Sequence, residues 1–150
     1  MIKKIFCLVL VLSLSNCGYN PIYLKKIDTD LSIKNYQITG NKNINKSIVS
    51  YLSLKDNNNA NAKYFLKLNS SKLVEIVAKD KVGNPTVYKT TIIVELLMTE
   101  GANVIKKRTF TSNFIYNNIA NKFDLFQYQK NIDKNLINNL SEKIFIFLTT

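Results

Sequence analysis

Three long segments in the middle of the chain alternate apolar with other side chains, and this alternation restricts the fold more than any other feature. In segments 64–78, 87–99 and 104–116 most of the apolar residues lie at even-numbered positions, which is the period of a β-strand with one buried face. The intervening stretches, 79–85 (KDKVGNP) and 100–103 (EGAN), contain the glycines and proline that favour turns. The alternation therefore predicts three consecutive antiparallel strands joined by hairpins.

The even-numbered positions of these segments form the predicted core face of the sheet. Ser70 and Lys72 occupy two of these positions within the first long segment. Polar residues on a core face interrupt the pattern, and an inserted residue would turn them away from the core. We therefore expect a β-bulge near the middle of that strand.

Two helices and one further strand complete the predicted elements. The stretch 31–40 (LSIKNYQITG) reads as a strand that ends at Gly40, and the next apolar residues recur at helical spacing until an asparagine run at 57–59. Segment 123–148 keeps the same helical spacing over its whole length, with polar residues opposite. The predicted order is β-α-β-β-β-α.

This order predicts a two-layer α+β sandwich. Two helices cover one face of a four-stranded, mostly antiparallel sheet, and residues 31–150 form a single domain. The other face of the sheet is then open. It is polar with scattered large apolar residues, and several such residues on one flat face indicate a partner surface. We take Ile93, Leu97 and Ile115 as the candidate interface residues.

The first 16 residues have the parts of an export signal. Lys3 and Lys4 form a basic start, and an apolar run followed by small polar residues leads to Cys17. Cleavage before Cys17 removes Cys7 and leaves one cysteine without a disulfide partner.

Lipidation explains this unpaired cysteine. The sequence Leu-Ser-Asn-Cys, ending at Cys17, resembles the bacterial lipobox, with Asn16 in place of the usual small residue. The resemblance implies a diacylglycerol on the Cys17 thiol and a lipid-anchored tether over residues 17–30. Gly18 stands where an aspartate typically retains a lipoprotein in the inner membrane, which favours the outer membrane.

The charge of the chain indicates anionic partners. The net charge is +11, and removal of Lys3 and Lys4 with the leader lowers it to +9. For an exported lipoprotein the anion is phosphorylated lipid, and we expect no nucleic-acid partner. Arg108 is the only arginine, however, and such a lysine-rich, asparagine-rich composition is also what an AT-rich genome encodes whatever the function.

A basic run lies at the start of the third long strand. Lys106, Lys107 and Arg108 are consecutive, so Lys107 should project from the open face and the other two from the opposite face, beyond the ends of the helices. The run is a candidate site for the phosphates of such a lipid, with Arg108 as a planar donor. The alternative is a solvated strand edge whose lysines discourage aggregation.

The sequence contains few residues in combinations that could support catalysis. It contains no histidine, which excludes His-based triads and His metal sites, and its carboxylates are dispersed. We expect a binding module without enzymatic activity, cofactor or metal.

The mature start CGYNPIY, after a lipobox, resembles that of the LptE family of lipopolysaccharide-assembly lipoproteins. Cys17, Gly18, Tyr19, Pro21 and Tyr23 match the family pattern, and Ile22 replaces its usual leucine. The predicted element order is also similar to that family's small α+β sandwich.

The resemblance implies an outer-membrane lipoprotein on the periplasmic side. Such a protein plugs a large outer-membrane β-barrel (LptD-like), helps that barrel assemble, and contacts lipopolysaccharide on its way to the outer leaflet. The lipid at the basic run is then lipopolysaccharide, with Lys106, Lys107 and Arg108 as the candidate contacts. Two alternatives stay open at this point: an auxiliary lipoprotein of an ABC-type lipid transporter, and a periplasmic enzyme or peptidoglycan-binding module.

Overall fold

The computed structural model describes residues 33–55 and 62–150. The predicted leader, tether and Cys17 lie outside the described residues. The elements are β1 (Ile33–Gly40), α1 (Lys42–Tyr51), β2 (Tyr64–Lys79), β3 (Pro85–Glu100), β4 (Asn103–Asn117) and α2 (Lys122–Thr149). This order confirms the predicted β-α-β-β-β-α arrangement.

The four strands form one sheet in sequence order. β1 pairs with β2 in parallel, and the β2–β3 and β3–β4 pairs are antiparallel. The parallel pair follows from α1, which crosses over between β1 and β2 and allows the chain to re-enter the sheet in the same direction. The prediction of a mostly antiparallel α+β sandwich is therefore confirmed.

The two hairpins lie at opposite ends of the sheet. At the end we call the distal tip, residues 80–84, the Asp80 carboxylate accepts hydrogen bonds from the main-chain N–H groups of Val82 (2.9 Å) and Asn84 (2.8 Å). These bonds, led by those from Asn84, lower the pKa of Asp80 below its ordinary value. At the other end Gly101 takes a positive φ of 57° in a two-residue connection.

The core lies between the sheet and the helices. Even-numbered strand residues meet the apolar stripe of α2 and the inner face of α1, as the alternation predicts. The largest apolar side chains with less than 2% exposure are Ile48, Leu66, Leu68, Ile92, Val94, Leu96, Leu140 and Ile144.

The predicted bulge in the middle of β2 is wrong. The β2–β3 register is continuous from Tyr64 to Ile76, and the irregularities come near the end of the strand, around Ala78. Ser70 and Lys72 stay on the helix side because each has a partner there. Ser70 donates to the carbonyl oxygen of Asn41 (3.2 Å), and the Lys72 ammonium lies 2.6 Å from the Asp133 carboxylate.

α1 is shorter than the sequence pattern suggests, since it ends at Tyr51 instead of at the asparagine run. Ser53 follows with a φ of 51°, which a continuing helix does not allow. A helix of ten residues is about 15 Å long, whereas a strand of 16 residues extends for about 53 Å. α1 therefore covers only part of β2, and the predicted core residues Val74 and Ile76 are 44% and 49% exposed.

Candidate functional site

Between the register shifts near Ala78 of β2 and Val104 of β4, the odd-numbered residues of β2, β3 and β4 form a second sheet face, the open face, on the side away from both helices. The alternation of the strands produces this face directly, because every residue next to a core residue points away from the core. Its side chains are exposed on β4 and, except for the half-buried Phe65, on β2, and they are exposed or half-buried on β3, the strand between them. The predicted open face is confirmed.

All three candidate interface residues lie on the open face. Ile93 and Leu97 are half-buried because β3 has a neighbouring strand on each side. Ile115 lies on the edge strand β4 and is 55% exposed. Two further apolar residues of this face, Leu73 and Val77, are 53% and 52% exposed.

The three residues have different neighbours across the strands. Leu97 is in register with Lys67 on β2 and Lys107 on β4. Two lysines therefore lie on either side of one apolar residue, and the Lys67 ammonium lies 5.9 Å from the ring centre of Phe65 on the same strand. Cations next to apolar side chains suit an amphiphilic partner. Ile115 pairs with Lys89, eight residues along β3 from Leu97, so Lys89 lies apart from this group.

A row of hydrogen-bonded polar side chains crosses the open face beside Leu97. Asn69 donates to the Glu95 carboxylate (3.0 Å) and accepts from the Thr39 hydroxyl (3.2 Å). These bonds hold three side chains of three adjacent strands in fixed orientations. The open face is thus an ordered polar surface with apolar side chains set into it.

The basic run at the start of β4 is divided between the two faces, as strand geometry requires. Lys107 points out from the open face and is exposed. Lys106 and Arg108 point to the other side, but the expectation that the helices have already ended there is wrong. α2 has 28 residues, about 42 Å, and its last turn lies over this part of β4.

Lys106 and Arg108 both contact the end of α2. The Lys106 ammonium donates to the carbonyl oxygens of Phe147 (2.9 Å) and Leu148 (3.2 Å). The Arg108 guanidinium lies 5.4 Å from the ring centres of Phe110 and Phe147, which is cation–π geometry. Lys106 and Arg108 therefore have a structural role in joining α2 to β4, and Lys107 is the member of the run on the open face.

Sequence reasoning places Lys67 on the open face but does not bring it together with Lys107. It is separated from Lys107 by forty residues, and only the register of both hairpins brings the two to opposite sides of Leu97. This placement could have been predicted from the sequence. The positions of the turns at residues 79–85 and 100–103 determine which residues face each other across the three strands.

The described residues contain no group of histidine, cysteine, aspartate and glutamate side chains that could hold a metal ion. Within the same residues no helix has the length and apolar character needed to cross a membrane.

No model of a protein family and no curated protein sequence matches this chain. Solved structures do match its fold. The crystal structure of the rare lipoprotein B from Shewanella oneidensis superposes with a TM-score of 0.60 at 12% identity, covering 77% of this chain and 93% of that one.

Two more structures of bacterial lipoproteins also match the fold of this chain. A putative lipoprotein from Caulobacter crescentus CB15 gives a TM-score of 0.54 at 15% identity, over 79% of this chain and 88% of that one. A minor lipoprotein from Acinetobacter baumannii gives 0.56 at 16% identity, over 77% and 90%. This chain has the fold of these lipoproteins. At such identities the likeness concerns the fold alone.

Proposed function

We propose that this chain is an outer-membrane lipoprotein, anchored on the periplasmic side through lipidated Cys17. It plugs a large β-barrel translocon, helps that barrel assemble, and assists the insertion of lipopolysaccharide into the outer leaflet. The observation that carries the proposal is the open face, an ordered polar surface with Ile93, Leu97 and Ile115 set into it. The lipobox, the CGYNPIY start and the fold shared with other lipoproteins support it.

The open face suits the interior of a wide barrel. The lumen of such barrels is polar, so a plug needs hydrogen-bonding groups over most of its contact surface. The row of Thr39, Asn69 and Glu95 supplies such groups in fixed positions. Ile93 and Leu97 then give the contact apolar anchors, because the removal of apolar surface from water is the main favourable term in most protein association.

The same face offers a contact for lipopolysaccharide. Lys67 and Lys107, one strand to either side of β3, are two cations that can attract phosphates at the margin of the barrel contact. Lys106 and Arg108 belong to the candidate site from the sequence, but their contacts with α2 leave Lys107 as its main cation. The role proposed is binding, without catalysis.

Affinity purification of the tagged full-length protein from membranes tests the proposal. We expect an outer-membrane barrel of translocon size to co-purify, and the protein itself to be found in the outer-membrane fraction. Co-purification of an inner-membrane transporter instead would contradict the proposal and favour an auxiliary lipoprotein of an ABC-type lipid transporter.

A further inference from the structure

The two edges of β2 are paired over different lengths, which leaves part of this strand open to a partner. β3 pairs with β2 from Tyr64 to Lys79, whereas β1 pairs only as far as Ser70, where the chain turns away at Gly40 into α1. Among the residues that the structure describes, no strand continues beside β2 beyond Ser70 on this side. Residues 71–79 therefore have an unpaired edge, which we call the free edge.

The exposure of the side chains changes at the same point. Buried and exposed residues alternate from Leu66 to Ser70, but every residue from 71 to 77 is exposed. Four of them are large and apolar and are between 44% and 53% exposed: Leu73, Val74, Ile76 and Val77. A long apolar strand edge of this kind favours pairing with another strand.

The main-chain groups of the free edge determine what can occupy it. The carbonyl oxygen of Ser70 points to this edge, because it accepts a hydrogen bond from the N–H of Asn41 (2.9 Å). Alternate residues of a strand direct their main-chain groups to the same edge, and the β2–β3 register is regular up to Ile76. The N–H and C=O groups of Lys72, Val74 and Ile76 therefore also point outward, and an extended peptide can pair with them.

Lysine does not protect the free edge in the usual way. A lysine on an edge strand discourages pairing with another chain, but the ammonium of Lys72 is held 2.6 Å from the Asp133 carboxylate of α2, on the helix side of the sheet. The irregularities around Ala78 disturb only the far end of the edge. Residues 71–76 are therefore available to a partner strand.

A second copy of this chain does not fit the free edge. Its own free edge belongs to a strand of 16 residues that leads into a hairpin, and the strand or the hairpin would continue past Ser70 in either direction of pairing. It would then meet β1, which occupies the same side of β2 from Tyr64 to Ser70. The occupant is therefore a short segment that ends or turns away beside Ser70.

The charges along the free edge favour a segment with acidic ends. Lys42, the first residue of α1, lies at one end of the edge, and Lys79 and Lys81 lie at the other. Glu75 lies between them and is in register with Lys89 on β3. An acidic residue at each end of the segment would thus meet a lysine.

We propose that the free edge binds a short extended segment of a partner protein by strand addition. The main-chain groups of Lys72, Val74 and Ile76 supply the hydrogen bonds, and apolar side chains of the segment pack beside Leu73 and Val74. The site uses an edge of the sheet and not the open face, so it does not depend on the function proposed above.

Amide hydrogen exchange of the full-length protein in neutral detergent, followed by NMR, tests the free edge itself. The amides of Val74 and Ile76 should exchange much faster than those of Leu73 and Glu75, which point to β3. Addition of the peptide Asp-Val-Thr-Val-Thr-Val-Asp, a strand with acidic ends, should slow the exchange at Val74 and Ile76. Protection of both amides in the protein alone would overturn the proposal, because the edge would already be paired.

Two N-methylated forms of this peptide test the main-chain pairing by fluorescence anisotropy. One form carries methyl groups on its three valines and the other on its two threonines, so each form is blocked along one edge. The form blocked along the edge that pairs with β2 should bind about tenfold or more weakly, because several hydrogen bonds are lost, and the other should stay within about threefold of the parent peptide. Equal affinities of the two forms would overturn strand addition. Equal binding of a peptide with lysine in place of both aspartates would overturn the preference for acidic ends.

Val74→Pro is the matching change in the protein. It removes an outward N–H, which an edge strand tolerates, and it should weaken peptide binding about tenfold. Val74→Thr keeps the N–H and the branched side chain and should stay within about threefold of the wild type. Circular dichroism shows whether Val74→Pro is folded, and the methylated peptides decide the matter if it is not. Dimerisation of the wild type in analytical ultracentrifugation that Val74→Pro abolishes would overturn the proposal in favour of a second copy.

Discussion

The ammonium of Lys106 on β4 donates a 2.9 Å hydrogen bond to the main-chain carbonyl oxygen of Phe147, in the last turn of α2. The last turn of a helix has unpaired carbonyl oxygens and the negative end of the helix dipole. α2 has no basic residue of its own in that turn. Lys106 supplies the missing cation from the sheet and so fixes the end of α2 on β4.

Lys106→Met should therefore lower the free energy of unfolding by about 1–2 kcal/mol. The apolar stem is kept, so the change removes mainly the charge and its hydrogen bonds. Urea denaturation followed by circular dichroism measures it. Lys107→Met, the adjacent lysine on the open face, is the matched control and should change stability by less than about 0.5 kcal/mol. Equal effects of the two substitutions would contradict the capping role.

Gly40→Ala should be strongly destabilising. Gly40 has a φ of 84° and lies where β1 turns into α1, and a Cβ atom there would collide with the carbonyl oxygen of Ser70. That oxygen accepts from the N–H of Asn41 (2.9 Å), so a shift of the backbone breaks this bond as well. We expect a loss of about 3 kcal/mol or more, from backbone strain and the lost contact together.

Gly101→Ala is the control for this substitution. Gly101 also has a positive φ, of 57°, but no heavy atom lies within 4 Å of an added Cβ. Only the backbone cost of about 1 kcal/mol should then appear. Similar melting temperatures for the two variants would show that the approach to Ser70 is not important.

Much of this architecture follows from the sequence because the strand period is two residues and the turns are marked. The hairpin turns fix the register, and the register places Ile93, Leu97 and Ile115 on one face. The limits of the helices were harder to predict. The end of α1 depends on its packing against its neighbours, and the asparagine run beyond it gives only an outer bound.

The contacts of Lys106 and Arg108 with α2 could not be predicted from the alternation of the strand alone. Alternation correctly assigns both residues to the helix side, but only element lengths show whether a helix reaches them. The connection between β4 and α2 is short, so α2 starts at the distal end of β4, and its length of about 42 Å takes it back along most of the strand. The lengths of β4 and α2, which the sequence predicts, therefore already indicated that α2 reaches Lys106 and Arg108.

Cys17→Ser should leave an uncleaved precursor or a soluble protein in place of a membrane-bound one. The hydroxyl of serine is not a thiolate nucleophile and would not receive the diacylglycerol. Mass spectrometry of the mature wild-type protein should show the added lipid on Cys17, and fractionation should show the variant released from the membrane or retained at its full length. An unmodified Cys17 in the membrane fraction would refute lipidation.

The barrel contact can be tested with a matched pair of isoleucines. Ile115 on the open face is 55% exposed, and Ile146 on α2 is 54% exposed. Aspartate at position 115 should reduce co-purification of the barrel several-fold, because it brings an unpaired charge into the proposed interface, whereas aspartate at 146 should not. Both variants should retain wild-type circular dichroism. A loss with Ile146→Asp alone would place the contact on the helical layer.

Substitutions on β3 test the same barrel contact and should have a larger effect than Ile115→Asp. Ile93→Asp and Leu97→Asp should abolish barrel association while leaving the fold intact, since both side chains are only half-buried. Leu96→Asp is the comparison, because Leu96 is 1% exposed and a charge there should unfold the domain. Unfolding by Ile93→Asp or Leu97→Asp as well would mean that the open face contributes to the core.

Lipopolysaccharide binding should depend on the two lysines that flank Leu97. Lys67→Ala/Lys107→Ala should weaken binding and flatten its dependence on salt, since fewer ionic contacts remain to be screened. Barrel association should fall far less than with Leu97→Asp, because the double variant brings no charge into the interface. The triple variant of Lys106, Lys107 and Arg108 should weaken binding too, but it also removes the cap of α2, so its stability must be measured alongside. Lys122→Ala/Lys143→Ala, with the same loss of charge on α2, should retain both affinity and salt dependence. If it weakens binding as much as Lys67→Ala/Lys107→Ala, the net charge of the protein, and not the open face, attracts the lipid.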